Sequence, residues 1–346
     1  MSNEVKKLDL ENVTFTNNSG EISVEIKKDI PEKFYKYYSL NRRSNQVLEN
    51  VSLFFSHAYL VNDLMDGNFM LWNLEEFIEK YSNDTKTKVD SESFKQTSII
   101  QFRNEFLKYR GILSLTEGYQ NELFWIHYTN EKGYCLEINS SKLKKFFEDK
   151  YASDILLFPI NYKKLEILNL NNVAIFEERT NIFKQTVDIN LPILYSFSVK
   201  DEFWKYENEW RFLLKKQDFK HINNPLDIIS KEEKKIDEEN LLSRNIEIPI
   251  DVIEKIILAP VFFNNYVFQK KTLENGNEKF WFTKSEANDI YKFFKILLEK
   301  YNDKIFQVDK VLNYNDNSVN RVLRYKIEII KLSDDYAIIK KTEIKY

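Results

Sequence analysis

The sequence predicts an α+β fold: a central mixed β-sheet interrupted by helical insertions and extended at its C-terminal end by a β-hairpin. Three observations lead there. Short apolar or alternating runs, among them SLFFSH (52–57), GILSLTE (111–117) and YCLEI (134–138), are rich in the aromatic and branched residues that suit a pleated surface. Segments with apolar residues at helical spacing lie between them. The tail alternates through YKIEIIKL and YAIIKKTEI, the pattern of two paired strands.

Residues 1–30 are polar with a weak alternation (EISVEIKKDI) and read as an N-terminal arm or an added strand, ended by Pro31. FYKYYSL (34–40) fits a strand or a strand-to-helix turn. NRRSNQVLENV then carries helical spacing, with Asn41 or Ser44 as N-cap. VNDLMDGN (61–68) has turn chemistry, because Asn, Asp and Gly accept backbone shapes that branched residues resist. From Met70 to Lys108, the positions Leu71, Leu74, Phe77 and Ile78, then Phe102 and Phe106, predict two or three helices around a polar insert. GILSLTE is a strand, NELFWIHYTNE (121–131) a helix stopped by Gly133, and YCLEI the next strand. SKLKKFFEDKYA is helical, ILLFPINYK a strand, and a helix-rich insert runs to about Asn190. ILYSFSVK, YENEWRFLL and IEIPIDVIEKIILAP are read as further strands of the central sheet. KEEKKIDEEN (231–240) is a solvated loop or helix. The organisation expected is an arm (1–30), one α+β domain (31–305) and a β extension (306–346).

With 346 residues and 43% hydrophobic content, the chain can bury a sizeable core. Lys and Arg number 51 against 54 Asp and Glu, so a net charge of −3 supplies no general attraction to nucleic acid or anionic membrane. Cys135 is the single cysteine, which excludes an intramolecular disulfide and a thiolate zinc cluster. The N-terminus has no apolar signal-like run, and no stretch of about 18 uncharged apolar residues occurs. A soluble, cytoplasmic protein with no membrane partner is expected. There is no GxSxG, P-loop, GxGxxG or HExxH motif and no repeat, and three histidines scattered at 57, 127 and 221 do not suggest a metal centre.

The remaining concentration of acid is YENEWR (206–211). On a strand, residues i and i+2 share a face, so Glu207 and Glu209 are expected to point the same way, with Asn208 and Trp210 opposite. Two close carboxylates can hold a cation or hydrogen-bond sugar hydroxyls; the plainer alternative is an edge strand whose acids meet Lys205, Arg211 or solvent. On GILSLTE, Ser114 and Thr116 share a face in the same way. Asn62, Asp63 and Asp66 are either a self-bonded turn or a polar rim contacting substrate.

A strand with Ser-x-Thr, an amphipathic helix, a strand and a later strand with Glu-x-Glu form an order that resembles the ADP-ribosyltransferase fold. In that fold a split sheet surrounds nicotinamide adenine dinucleotide (NAD), with a basic or His residue on the first strand, Ser or Tyr on a second and Glu on a later one. The chain also resembles a widespread, largely uncharacterised bacterial family through YKYYSL, FFSHAYLVNDLMDG, SLTEGYQNELFWIHYTNEKGYCLEI and WKYENEWRFLL, covering about 33–310. Leu64 stands where that family has Pro, and Phe124 where it has Met. The first strand offers Tyr35, Lys36 and Tyr37 but no Arg or His, unless Arg42 or Arg43 folds back.

What the resemblance implies is an NAD-consuming transferase acting on a protein or nucleic-acid acceptor, a toxin or phage-defence effector by analogy. Glu209 would stabilise the oxocarbenium-like ribose, while Glu207 would orient the acceptor or act as its base. Lys36, Tyr37, Ser114, Thr116, Trp125 and Tyr128 would hold NAD, and Asn62, Asp63, Asp66 and Arg211 the substrate. Two alternatives stand beside it. One is a non-catalytic module that senses a nucleotide or partner. The other is a Mg²⁺-dependent nuclease using Glu207, Glu209, Asp63 and Asp66.

Overall fold

The computed structural model describes residues 5–61, 63, 67, 71–73, 107–173, 175–178, 185–220, 222, 231–282, 287–313 and 318–344. The protein is α+β, with a mixed eleven-stranded sheet, several two- and three-stranded sheets and eight helices among the described residues. In chain order the elements begin with β1 (Val5–Asp9), β2 (Val13–Asn18), β3 (Glu21–Ile26), β4 (Lys33–Tyr38), α1 (Arg42–Glu49), β5 (Ser52–Phe54), β6 (Arg110–Thr116), α2 (Glu122–Thr129) and β7 (Tyr134–Asn139). Next come α3 (Ser140–Tyr151), β8 (Ile155–Pro159), β9 (Asn161–Tyr162), α4 (Leu170–Val173), β10 (Ile175–Glu178), β11 (Gln185–Asp188), α5 (Asn190–Ser198), β12 (Val199–Lys200) and β13 (Glu209–Lys215). The rest are α6 (Lys231–Leu242), β14 (Asn245–Glu247), β15 (Ile253–Leu258), α7 (Phe262–Tyr266), β16 (Val267–Thr272), β17 (Glu278–Phe282), α8 (Ala287–Lys300), β18 (Ile305–Asn313), β19 (Ser318–Ser333) and β20 (Tyr336–Glu343). Among the described residues no helix is long and apolar enough to cross a membrane. The helices expected between Met70 and Lys108 fall almost wholly outside the described residues, as do Asn62 and Asp66.

Two compact units divide the chain. The first comprises Met1–Ile30, Phe54–Ser114 and Phe147–Asn245. Its N-terminal stretch is a three-stranded antiparallel sheet, β1-β2-β3, whose inward residues Leu8, Val13 and Phe15 enter the unit's apolar core. The β2–β3 turn places Ser19 and Gly20 at φ 50° and 95°, the double positive φ that suits a two-residue hairpin, and Asn17 Oδ1 accepts the Gly20 N–H at 2.9 Å. Strands β13 and β8 pair antiparallel, Trp210 opposite Pro159 and Leu214 opposite Ile155. Where ILYSFSVK was expected as a strand, the chain forms α5, followed by the short strand β12. Every residue from Leu191 to Ser198 is buried. A helix sunk in the core on all sides is apolar all round, so it shows no helical periodicity and reads like a buried strand.

The second unit comprises Pro31–Leu53, Leu115–Phe146 and Ile246–Tyr346. Its strands follow the order β16-β17-β20-β19-β18-β15-β7-β4, with β15 and β18 parallel. Helix α1 opens on a capping box: Asn41 Oδ1 accepts the Ser44 N–H and Ser44 Oγ accepts the Asn41 N–H, both at 3.0 Å. Both N-cap candidates thus take part. Helix α2 stops at Asn130, which adopts the left-handed conformation (φ 49°) that was expected of glycine. Gly133 answers a different need: a Cβ there would lie 1.9 Å from the Tyr38 carbonyl oxygen, so only glycine lets this backbone approach β4. KEEKKIDEEN, in the first unit, is helix α6. The tail forms its hairpin, with β19 against β20 from Tyr325↔Glu343 to Ser333↔Tyr336.

Candidate functional site: a buried acid–base cluster

In the first unit, Asp201 Oδ1 accepts the Phe203 N–H at 3.0 Å and starts a 3-10 turn over Glu202–Glu207. Asn208 ends it at φ 42°, ψ 51°, a left-handed conformation that asparagine tolerates better than most residues, and β13 begins at Glu209. Glu207 is therefore not a strand residue, and strand alternation is not what brings the acids together. A single cation does so. Lys200, at the end of β12, places Nζ 2.7 Å from Glu207 Oε2 and 2.8 Å from Glu209 Oε2. From the other side Arg211 clamps Glu209 with both arms, Nε to Oε1 at 2.7 Å and Nη2 to Oε2 at 3.2 Å, while Nη1 donates to the Phe197 carbonyl at 2.9 Å. The Glu209 N–H donates to the Tyr162 hydroxyl at 2.8 Å.

All four charged side chains are at most 7% exposed, and among the described residues two anions face two cations. Unpaired, any one of them would be costly to hold out of water. Burial by itself raises the pKa of Glu209. Arg211 and then Lys200 outweigh it and hold the carboxyl well below the usual carboxylate range. Burial, with the Glu209 carboxylate adding to it, pushes the Tyr162 hydroxyl up, so it stays protonated.

This has a consequence for acid stability. In an unfolded chain a glutamate titrates near about pH 4.3. A depressed folded-state pKa gives stability that is fully present above that value and is lost as the pH falls towards the lower folded one. The free energy of unfolding is expected to drop more steeply between about pH 5 and pH 2 in the parent protein than in Glu209→Gln. Urea titrations across that range check it; parallel profiles would show that Glu209 contributes no such linkage.

Aromatic rings sit on the 3-10 turn beside the cluster. Phe203 is 75% exposed and packs edge-on against Trp204 at 5.6 Å, Trp204 lies 6.1 Å from Tyr206, and Lys200 Nζ stands 5.4 Å from the Trp204 ring centre. Ser114, half-buried on β6, belongs to this unit, as does the half-buried Asp63.

The remaining predicted residues lie in the second unit. Tyr37 stacks on Phe124 at 5.0 Å and meets Trp125 edge-on at 5.0 Å, and Tyr128 stacks on Phe124 at 5.2 Å. Trp125 is fully buried and donates Nε1–H to the Tyr119 carbonyl at 2.7 Å. These three rings are thus brought together as packing between β4 and α2. Lys36, half-buried, alternates with Tyr37 along β4 and is on the opposite face from it. Thr116 lies opposite Tyr35, which in turn lies opposite Glu137, and Glu137 opposite Lys255: one polar row across β6, β4, β7 and β15. Tyr35 donates to Glu137 Oε2 at 3.2 Å, and Lys255 Nζ is 2.5 Å from Glu137 Oε1.

Lys200, Glu137 and Lys255 were missed from the sequence. The signal for Lys200 was a lone cation ending the apolar run LYSFSV, a position that solvent alone does not explain; for Glu137 it was an acid inside the buried strand YCLEI. Arg211 grips Glu209 and the Phe197 carbonyl. Among the described residues no group of three or more His, Cys, Asp or Glu is arranged to hold a metal ion.

No curated protein and no solved structure matches the chain. Residues 124–212, from α2 through β7 and the acid–base cluster into β13, match the model of a family described as "Protein of unknown function (DUF2971)", and over that stretch the chain is similar to this family.

Proposed function

We propose that the chain is an NAD-consuming enzyme of ADP-ribosyltransferase type, its sheet the split sheet of that fold, transferring ADP-ribose to a macromolecular acceptor. The observation that carries this reading is the state of Glu209: a buried carboxylate, clamped in one orientation and kept ionised by Arg211 and Lys200. Glycosyl transfer through an oxocarbenium-like ribose needs a fixed anion, and a group held so far below the usual range serves as that anion better than as a proton donor. Glu207, on the same lysine, is the partner acid. The rings of Trp204 and Phe203 offer faces on which a nicotinamide or adenine can stack.

The test is release of nicotinamide from NAD by the purified full chain, with Glu209→Gln beside it. Turnover in the parent and a loss of about a hundredfold or more in the variant are expected, the scale on which removal of one electrostatic stabiliser is felt. Circular dichroism and melting of the variant are recorded first. A parent that releases no nicotinamide with any acceptor preparation would overturn the reading.

A second reading has its own observation. Among the described residues each acid of the cluster is already paired with a cation, as suits a module that binds a nucleotide or partner without reacting. It predicts a melting temperature that rises with a nucleotide equally in parent and Glu209→Gln, with no product.

A further inference from the structure

A second feature of the first unit has no part in the proposed reaction. It is a cavity of 440 Å³ that shares no lining residue with the acid–base cluster. Its volume falls within the range of small-molecule sites, about 300–1,000 Å³. The apolar lining comes from Ile22 on β3, Leu156 on β8, Ile193 and Leu194 in the first turns of α5, and Leu213 on β13. Ile193, Leu194 and Leu213 are buried in the core behind the cavity, so the apolar surface open to it is that of the half-buried Ile22 and Leu156.

Four charged residues share the lining with Gly20, Ser153 and Asn190: Arg110 at the start of β6, Lys215 at the end of β13, Glu21 at the β2–β3 turn and Asp154 before β8. Among these four the signs balance, with Asp188 a further anion that attracts Arg110. A simple anion would meet Glu21 and Asp154 as well as the two cations, and a simple cation would meet Arg110 and Lys215. A ligand carrying one charge of each sign pairs with both sets. Arg110 is the half-buried member of the cationic pair. Burial pushes its guanidinium down to about 10, against the attraction of Asp188, so it remains positive at neutral pH in surroundings where a carboxylate is held more strongly than in water.

We propose that this cavity is a binding site for a small zwitterion with an apolar body, of the class of free aliphatic α-amino acids, its carboxylate towards Arg110 and Lys215 and its ammonium towards Asp154 and Glu21. The aliphatic side chain lies against Ile22 and Leu156. The site is independent of the NAD reading, and its test uses no nucleotide.

Isothermal titration of the full chain with L-leucine, N-acetyl-leucine, leucine amide and 4-methylpentanoate tests it. Leucine is expected to bind saturably with one site per chain, and each of the three analogues, lacking one charge, at least about tenfold more weakly, the scale of a charged hydrogen bond. Arg110→Gln is expected to weaken leucine by a similar factor. Because Arg110 is half-buried, Lys215→Glu at the exposed end of β13 keeps the test open should Arg110→Gln fail to fold; it is expected to lower the leucine to leucine amide affinity ratio severalfold. Absence of leucine binding, equal binding of leucine and N-acetyl-leucine, or an unchanged ratio in Lys215→Glu would each overturn the proposal.

Discussion

Arg211→Met is expected to destabilise the first unit by about 3–5 kcal/mol, the cost of removing one partner from a buried ion pair. The side chain is 1% exposed and provides both arms of the clamp on Glu209. Methionine fills much of the volume but leaves Glu209 with Lys200 alone, and Lys200 is already shared with Glu207. It also strips the Phe197 carbonyl of its Arg211 donor. Arg211→Lys keeps the charge and loses the planar fork, so an intermediate cost is expected. The decisive comparison is the double variant Arg211→Met/Glu209→Gln, which removes the charge that the first substitution strands. It is expected to be more stable than the sum of the two single effects requires, by about 1–3 kcal/mol of coupling. Urea unfolding followed by tryptophan fluorescence measures the four proteins of this cycle and Arg211→Lys. Strict additivity would mean that the two side chains, though 2.7 Å apart, do not depend on each other energetically.

Much of the fold was legible because its elements obey local rules. Asn41 or Ser44, as alternative N-caps, marked the start of α1, where the structure joins the two in one capping box, and the alternation in YKIEIIKL and YAIIKKTEI marked β19 and β20. The signal failed where an element is buried on every side. Leu191 to Ser198 have no solvent-facing side, so their apolar pattern does not separate helix from strand. The candidate site was legible in part. Proximity of Glu207 and Glu209 was foreseen, but from strand alternation, whereas the structure makes it through a left-handed Asn208 and a shared Lys200. Strand geometry is local, while the choice of a counter-ion seven residues earlier depends on how β12 and the 3-10 turn fold against each other. The row from Thr116 to Lys255 is harder still to read, since it exists only once β6, β4, β7 and β15 are set in register.

The N-terminal sheet carries the other large expected effect. Phe15→Ala is expected to cost about 3–5 kcal/mol, as large-to-small changes of fully buried aromatics do. Phe15 is fully buried and packs edge-on against Phe158 at 5.3 Å, with Leu8, Val13 and α5 residues in the same core. A peripheral arm would not be expected to anchor a core in this way. Polar contacts bind it too: the Asn12 N–H donates to Asn161 Oδ1 at 2.7 Å and Asn12 Nδ2 to the Ile160 carbonyl at 3.2 Å. The weak alternation reflects β1 and β3, each with one face solvated, while in β2 the polar Thr14 and Asn17 are buried along with Val13 and Phe15. Removal of residues 1–26 is accordingly expected to leave the first unit unable to fold cooperatively, while Val5→Ala, at a side chain 51% exposed, stays within about 0.5 kcal/mol of the parent. Calorimetric melting separates these outcomes: a truncated chain that melts at the parent temperature, or a Phe15→Ala protein as stable as Val5→Ala, would show that the sheet rides on the unit without supporting it.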